Sequence, residues 1–135
     1  MGMESDGAPR RALIVEDDPS LRRSLRLVLG ARFAAVKSCG TLAEARELLG
    51  AFQPELVVMD LYLPDGDGFS LAREALRGPA SPAVVAMSGS ASDSDFAALE
   101  RSGVHVQLRK PLTARRLDDA VTRALELRAR AAARG

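Results

Sequence analysis

Glu16-Asp17-Asp18, Asp60, Ser88 and Lys110 each stand at or just past the end of a short apolar run. Gathered in one place, they would set several carboxylates against a hydroxyl and an ammonium group. Crowded carboxylates repel one another, so such a cluster needs a cation, and all-oxygen ligands favour a hard one such as Mg²⁺. A carboxylate beside that ion is a nucleophile for phosphorus and would form an aspartyl-phosphate. The metal and the lysine would neutralise charge on the transferring phosphoryl oxygens, and the hydroxyl would donate to a third.

The elements that must position these groups are legible in the apolar pattern. Runs at Ala12–Val15, Leu56–Met59 and Ala83–Met87 are apolar without alternation, and further apolar runs follow at Val104–Leu108 and, more weakly, Ala34–Lys37. That suits strands buried on both faces of a parallel sheet. Between them lie helical spacings. Leu21, Leu25, Val28 and Leu29 mark the first, with Asp18 placed to cap it and Pro19 at its first position. Thr41 and Glu44 form a capping-box pattern for the second, which Gly50 is expected to end. Phe69, Ala72, Ala75 and Leu76 mark a third, stopped by Gly78-Pro79. Phe96 and Leu99 mark a short fourth ending near Gly103. Leu117, Val121, Ala124 and Leu125 mark a fifth, running into an Arg/Ala-rich end. Strand and helix in alternation predict right-handed crossovers, with ligands at the carboxyl ends of the strands.

Composition narrows the function. With 135 residues there is room for one domain. The 19 basic and 18 acidic residues give a net charge of +1, which argues against direct nucleic-acid binding. Cys39 is the only cysteine, so no intrachain disulfide forms. No apolar run suits a membrane span and the start is not a signal peptide, so a cytoplasmic location is expected. Residues 1–10 read as a flexible N-terminal tail, 11–127 as the domain, and 128–135 as a helix end or linker stub.

Taken in order, Val15-Glu16-Asp17-Asp18-Pro19, Met59-Asp60-Leu61-Tyr62-Leu63-Pro64-Asp65-Gly66-Asp67-Gly68, Met87-Ser88-Gly89 and Lys110-Pro111 resemble the receiver domain of two-component response regulators. The resemblance covers Arg11 to Leu127. It implies a flavodoxin-like, doubly wound α/β fold, with a five-stranded parallel sheet in the order 2-1-3-4-5 and five helices. It implies that Asp60 is the phosphoacceptor, charged by a histidine kinase or phosphotransfer protein. Asp17 would bind Mg²⁺ directly, Glu16 through water, and the Tyr62 main-chain carbonyl would supply a further ligand. Ser88 would be the switch hydroxyl, and Lys110 would pair with the phosphoryl group from a Lys110–Pro111 bond that is often cis. Such a domain modifies only itself, so it is not an enzyme acting on a separate substrate. It would act on a downstream protein or effector domain, with no membrane partner, and dimerisation on phosphorylation fits the family.

Other readings fit the residues less well. A degenerate receiver serving as a phosphorylation-independent binding module would not need the complete acidic, hydroxyl and lysine set. An aspartyl-nucleophile phosphohydrolase would resemble the haloacid dehalogenase family, which has a second acid where this chain has Tyr62. A calcium loop at Asp65 and Asp67 fails, because Phe69 and Ser70 stand where a ligand and a glycine are needed. His105 has no local ligand set, Cys39 reads as a small filler at the end of the second strand, and Arg128, Arg130 and Arg134 read as a solvated helix face. Gln107 occupies a switch position where many receivers have Tyr or Phe, and it is expected to stay near the surface. The signal would then pass from Ser88 to the fourth helix, whose Ser92-Asp93-Ser94-Asp95 start reads as weakly held. Tyr62 is expected to screen the phosphoryl group from water.

Overall fold

The structure, a computed structural model, describes residues 10–77 and 81–134. Residues 1–9 of the expected tail and the Gly78-Pro79 stop lie outside the described residues. The elements are β1 (Arg11–Val15), α1 (Pro19–Gly30), β2 (Ala35–Cys39), α2 (Leu42–Phe52) and β3 (Leu56–Asp60). There follow a small hairpin of β4 (Tyr62–Leu63) and β5 (Gly66–Asp67), then α3 (Phe69–Arg77), β6 (Ala83–Ser88), α4 (Asp93–Arg101), β7 (Val106–Arg109) and α5 (Ala114–Arg134). The main sheet is parallel throughout in the order β2-β1-β3-β6-β7. Counting its five strands alone, that is 2-1-3-4-5, the flavodoxin-like doubly wound arrangement.

Alternate residues of the strands feed two cores. Leu13, Val15, Val57, Met59, Val84 and Ala86 pack with Leu42, Ala45, Leu71, Ala72, Phe96 and Leu99 from α2, α3 and α4. Ala12, Ile14, Val58, Val85 and Met87 pack on the opposite face with Leu25, Leu29, Leu117, Val121 and Ala124 from α1 and α5. Each fully buried Leu, Ile or Val removes enough apolar surface to contribute roughly 1.5–3 kcal/mol. This two-sided burial explains why the central runs carry no polar alternation.

Register then fixes the polar residues. Val15 pairs with Met59, Asp60 with Met87, and Ser88 with Arg109. Each strand therefore releases its reactive residue beside that of its neighbour.

Local expectations met several corrections. Helix α2 does not end at Gly50 but runs to Phe52, with Gln53 at its C-cap in the left-handed region (φ 50°). Pro54 is the physical cause, because it disfavours helical backbone in the residue before it. At the other end of α2 the capping box is only half made. Thr41 Oγ1 accepts the Glu44 N–H, but Glu44 reaches the Gly40 N–H instead of that of Thr41. Asp65, in the turn between β4 and β5, accepts the N–H groups of Leu42 and Ala43 at 2.8 and 3.1 Å. Strand β2 begins at Ala35 and reaches Cys39, and β7 begins at Val106, with Val104 buried before it. Helix α5 runs unbroken to Arg134. Arg128 is not free in solvent: its Nε donates to the Ser81 carbonyl at 3.0 Å.

Candidate functional site

At the carboxyl ends of the strands lie the three buried polar or charged residues of the described chain: Glu16 (1% exposed), Asp60 (7%) and Ser88 (1%). Buried carboxylates need partners, and here Lys110 supplies them. Its Nζ donates to Asp60 Oδ2 at 2.7 Å and to Glu16 Oε1 at 2.8 Å. The Tyr62 N–H donates to Asp60 Oδ1 at 3.2 Å, and the Asp18 N–H to Glu16 Oε2 at 3.0 Å. Both oxygens of both carboxylates are therefore engaged by the protein. Asp17 stands beside them, exposed. One oxygen from each of Glu16, Asp17 and Asp60 lies within 4.8 Å of the others, a spacing that fits a divalent cation.

Burial pushes the Glu16 carboxyl above the usual carboxylate range, against the pull of Lys110 and of the Asp18 N–H. Burial alone would depress Lys110. Its hydrogen bonds to Asp60 and Glu16 outweigh that, and its ammonium is held above the ordinary lysine value. Two carboxylates around one cation leave charge to spare for a metal, and the hard oxygen donors match the hard ion expected.

The supporting contacts are local and specific. Arg22, one turn into α1, donates from Nη1 to the Glu16 carbonyl at 2.8 Å and braces the loop that carries Asp17. Gly40 leaves room for that guanidinium, since a Cβ there would stand 3.1 Å from Arg22 Nη1. Gly68 is required beneath the phosphorus-reactive candidate. A Cβ would lie 2.5 Å from Met59 Cε and 3.0 Å from the Asp60 carbonyl, while the Gly68 N–H donates to the Leu61 carbonyl at 2.6 Å. The Lys110 N–H donates to the Ser88 carbonyl at 2.9 Å, and the Lys110–Pro111 bond is cis.

Ser88 is adjacent to the cluster, but its Oγ accepts from Ser90 N–H (3.1 Å) and Ala91 N–H (3.0 Å) within its own loop. Gln107 is not part of the cluster. Its amide, half-buried, donates to the Val104 carbonyl at 2.9 Å. Tyr62 turns its ring outward, 41% exposed, and its hydroxyl donates to Asp95. His105 pairs with Glu100, away from the cluster. Cys39 is buried at the end of β2, and burial pushes its thiol up to about 11.

The start of α4 is not weakly held. Ser92 and Asp95 form a complete capping box, Tyr62 ties to Asp95, and Arg109 holds Asp93 and the Ala91 carbonyl. The Ser-x-x-Asp spacing before Phe96 is a legible capping signal. The roles of Arg109 and Tyr62 depend on contacts made across the fold.

The family model described as the response regulator receiver domain matches residues 12–122. The chain is 35% identical over 120 residues to the response regulator protein PilR of Pseudomonas aeruginosa, covering 88% of this chain and 27% of that protein. It is 36% identical over 121 residues to the transcriptional regulatory protein DpiA of Escherichia coli, covering 86% of this chain and 52% of that protein. The chain thus spans between about a quarter and a half of these two relatives. Among solved structures, the beryllofluoride-activated NtrC4 receiver domain dimer matches with a TM-score of 0.78 at 25% identity, covering 86% of this chain and 96% of that one.

Proposed function

The chain belongs to the response regulator receiver domain family, and on that footing we propose that Asp60 accepts a phosphoryl group from a phosphohistidine donor and that a surface of the domain switches in response. One observation carries this reading: Asp60 ends the central strand with Lys110 at 2.7 Å and two further carboxylates within 4.8 Å.

In this reading an Asp60 oxygen attacks phosphorus as the phosphorus–nitrogen bond of the donor breaks, and the leaving imidazole takes up a proton. Lys110 moves from neutralising Asp60 to neutralising the phosphoryl oxygens, and keeps Glu16 as its second partner. The Tyr62 N–H holds the Asp60 carboxylate in its orientation, and the sheet around it excludes water from its buried side. Asp17, Asp60 and the Tyr62 carbonyl would hold Mg²⁺, with Glu16 acting through water. When bound, that ion supplies charge neutralisation for the transferring group. Ser88 would donate to a phosphoryl oxygen.

The domain would catalyse its own modification and slow hydrolysis and would act on no separate substrate. Its partners would be a histidine kinase or phosphotransfer protein and a downstream protein or effector domain. The balanced charge supports a domain that touches no nucleic acid itself. No helix among the described residues is long and apolar enough to cross a membrane, and a cytoplasmic location is proposed with the family reading. The activated NtrC4 receiver was solved as a dimer, and phosphorylation-dependent dimerisation is proposed here on that likeness.

Mg²⁺-dependent labelling by acetyl phosphate tests the assignment. Wild type should label and Asp60→Asn should not; undiminished labelling of the variant would remove Asp60 from the role.

A further inference from the structure

Two residues on either side of the site grip Ala91, in the loop between β6 and α4. Its N–H donates to Ser88 Oγ at 3.0 Å, and its carbonyl accepts from Arg109 Nη1 at 2.9 Å. Arg109 is also the residue immediately before Lys110. Its second arm meets Asp93, the first residue of α4, and its guanidinium lies 4.5 Å from the centre of the Phe96 ring. Phe96 is in turn part of the core beneath α4. A continuous path therefore runs from the site hydroxyl through Ala91 and Arg109 to the first turn of α4.

We propose that Arg109 is a positioning residue that couples the state of the Asp60 site to α4. The proposal rests on the reading that Asp60 takes a phosphoryl group. Ser88 Oγ accepts the Ser90 and Ala91 N–H groups and makes no hydrogen bond to Asp60 or Lys110, so any approach it makes to a phosphoryl oxygen, through its free O–H, is felt by both loop N–H groups. The loop N–H groups then follow it or are released, and either way the Ala91 carbonyl shifts against Arg109. A guanidinium is a planar fork whose donors keep a fixed relation to one another. It does not follow the carbonyl and also keep its seat over Phe96, so the displacement is passed on to α4. The Asp93 arm contributes little, because that carboxylate is fully exposed and such pairs are screened. The coupling lies in the Ala91 carbonyl and the Phe96 ring.

The test compares wild type, R109M, R109K and D93N as full chains labelled with ¹⁵N, with and without beryllofluoride and Mg²⁺. All four should show shift changes at Asp60–Leu63, and acetyl phosphate should label all four at rates within about twofold, since Arg109 touches neither Asp60 nor Lys110 by its side chain. Across Phe96–Arg101, R109M should lose at least half of the wild-type shift change. R109K should lose at least a third, because an ammonium is a point donor that does not serve both contacts. D93N should keep the wild-type response. A wild-type response of α4 in R109M overturns the proposal, as does one in R109K should R109M fail to fold. Loss of labelling in R109M also overturns it, by placing Arg109 in the chemistry. A wild type that shows no change around Asp60 would instead refute the phosphoacceptor reading.

Discussion

The Tyr62 hydroxyl donates to Asp95 Oδ2 at 2.8 Å, and that same oxygen accepts the Ser92 N–H at 2.9 Å. One carboxylate oxygen thus closes the capping box of α4 and ties down the residue two positions past Asp60. The main chain of Tyr62 is held at the same time, by its N–H on Asp60. Its ring is anchored at both ends, from the phosphoacceptor loop to the start of α4.

Held by its N–H on Asp60 and by its hydroxyl on Asp95, Tyr62 is expected to slow the approach of water to a phosphoryl group on Asp60. Loss of label after removal of phosphodonor should be slowest in wild type, faster in Tyr62→Phe, whose ring is untied, and fastest in Tyr62→Ala. An alanine variant that dephosphorylates at the wild-type rate or slower would refute the screening role.

Asp17 is the exposed member of the acidic trio and carries a full charge toward the cation site. Asp17→Asn should weaken Mg²⁺ binding by roughly tenfold or more, the scale of one charge removed at contact distance near a surface. The chain contains one tyrosine and no tryptophan, so a Mg²⁺ titration can be followed by Tyr62 emission as well as by calorimetry. An unchanged affinity would exclude Asp17 as a ligand.

Asp65 gives a pH signature of its own. Its carboxylate is held below the usual range, first by the Leu42 N–H and then by that of Ala43. A carboxyl depressed on folding stabilises the fold above its unfolded value, about 3.9, and loses that contribution as pH falls through the lower folded value. The urea midpoint of wild type should therefore exceed that of Asp65→Ala by a constant margin from neutral pH down to about 4.5, and the margin should close below about 4. A margin that stays level down to about pH 2.5 would show that the cap does not titrate with the fold.

The sheet order could be read from Ala12–Val15, Leu56–Met59 and Ala83–Met87 because those strands are buried on both faces and need no polar side. Strand β2 lies at the edge, where Ala35, Lys37 and their neighbours are partly solvated, so its ends were displaced in the reading. Asp18 before Pro19 was legible because the cap and its helix are adjacent in sequence. Asp65 was not, because it caps a helix that begins twenty-three residues earlier. Gly50 looked like a stop by type alone, whereas the stop comes from Pro54 acting on Gln53. The clustering of Glu16, Asp17, Asp60 and Lys110 follows from which runs end beside which. The firmness of the start of α4 does not, since Tyr62 and Arg109 reach it from other strands' ends.

The five helices all begin at the pole of the molecule where the strands end, and an uncapped helix start is a ready seat for an oxyanion. Here each has at least one N–H already taken from within the chain. Asp18 serves α1, Thr41 and Asp65 serve α2, Asp67 accepts the first N–H of α3, Ser92 serves α4, and Thr113 accepts the Arg116 N–H in α5. Free phosphate or sulfate reaching this pole therefore meets helix starts already partly capped, several of them by carboxylates that repel it. Lys110 is the cation facing inward, and it is shared between Asp60 and Glu16. A dianion diffusing in would have little to settle on, whereas a phosphoryl group bonded to Asp60 would be held covalently and would take over the lysine. If Asp60 takes a phosphoryl group as proposed, this pole would favour the attached group over dissolved phosphate.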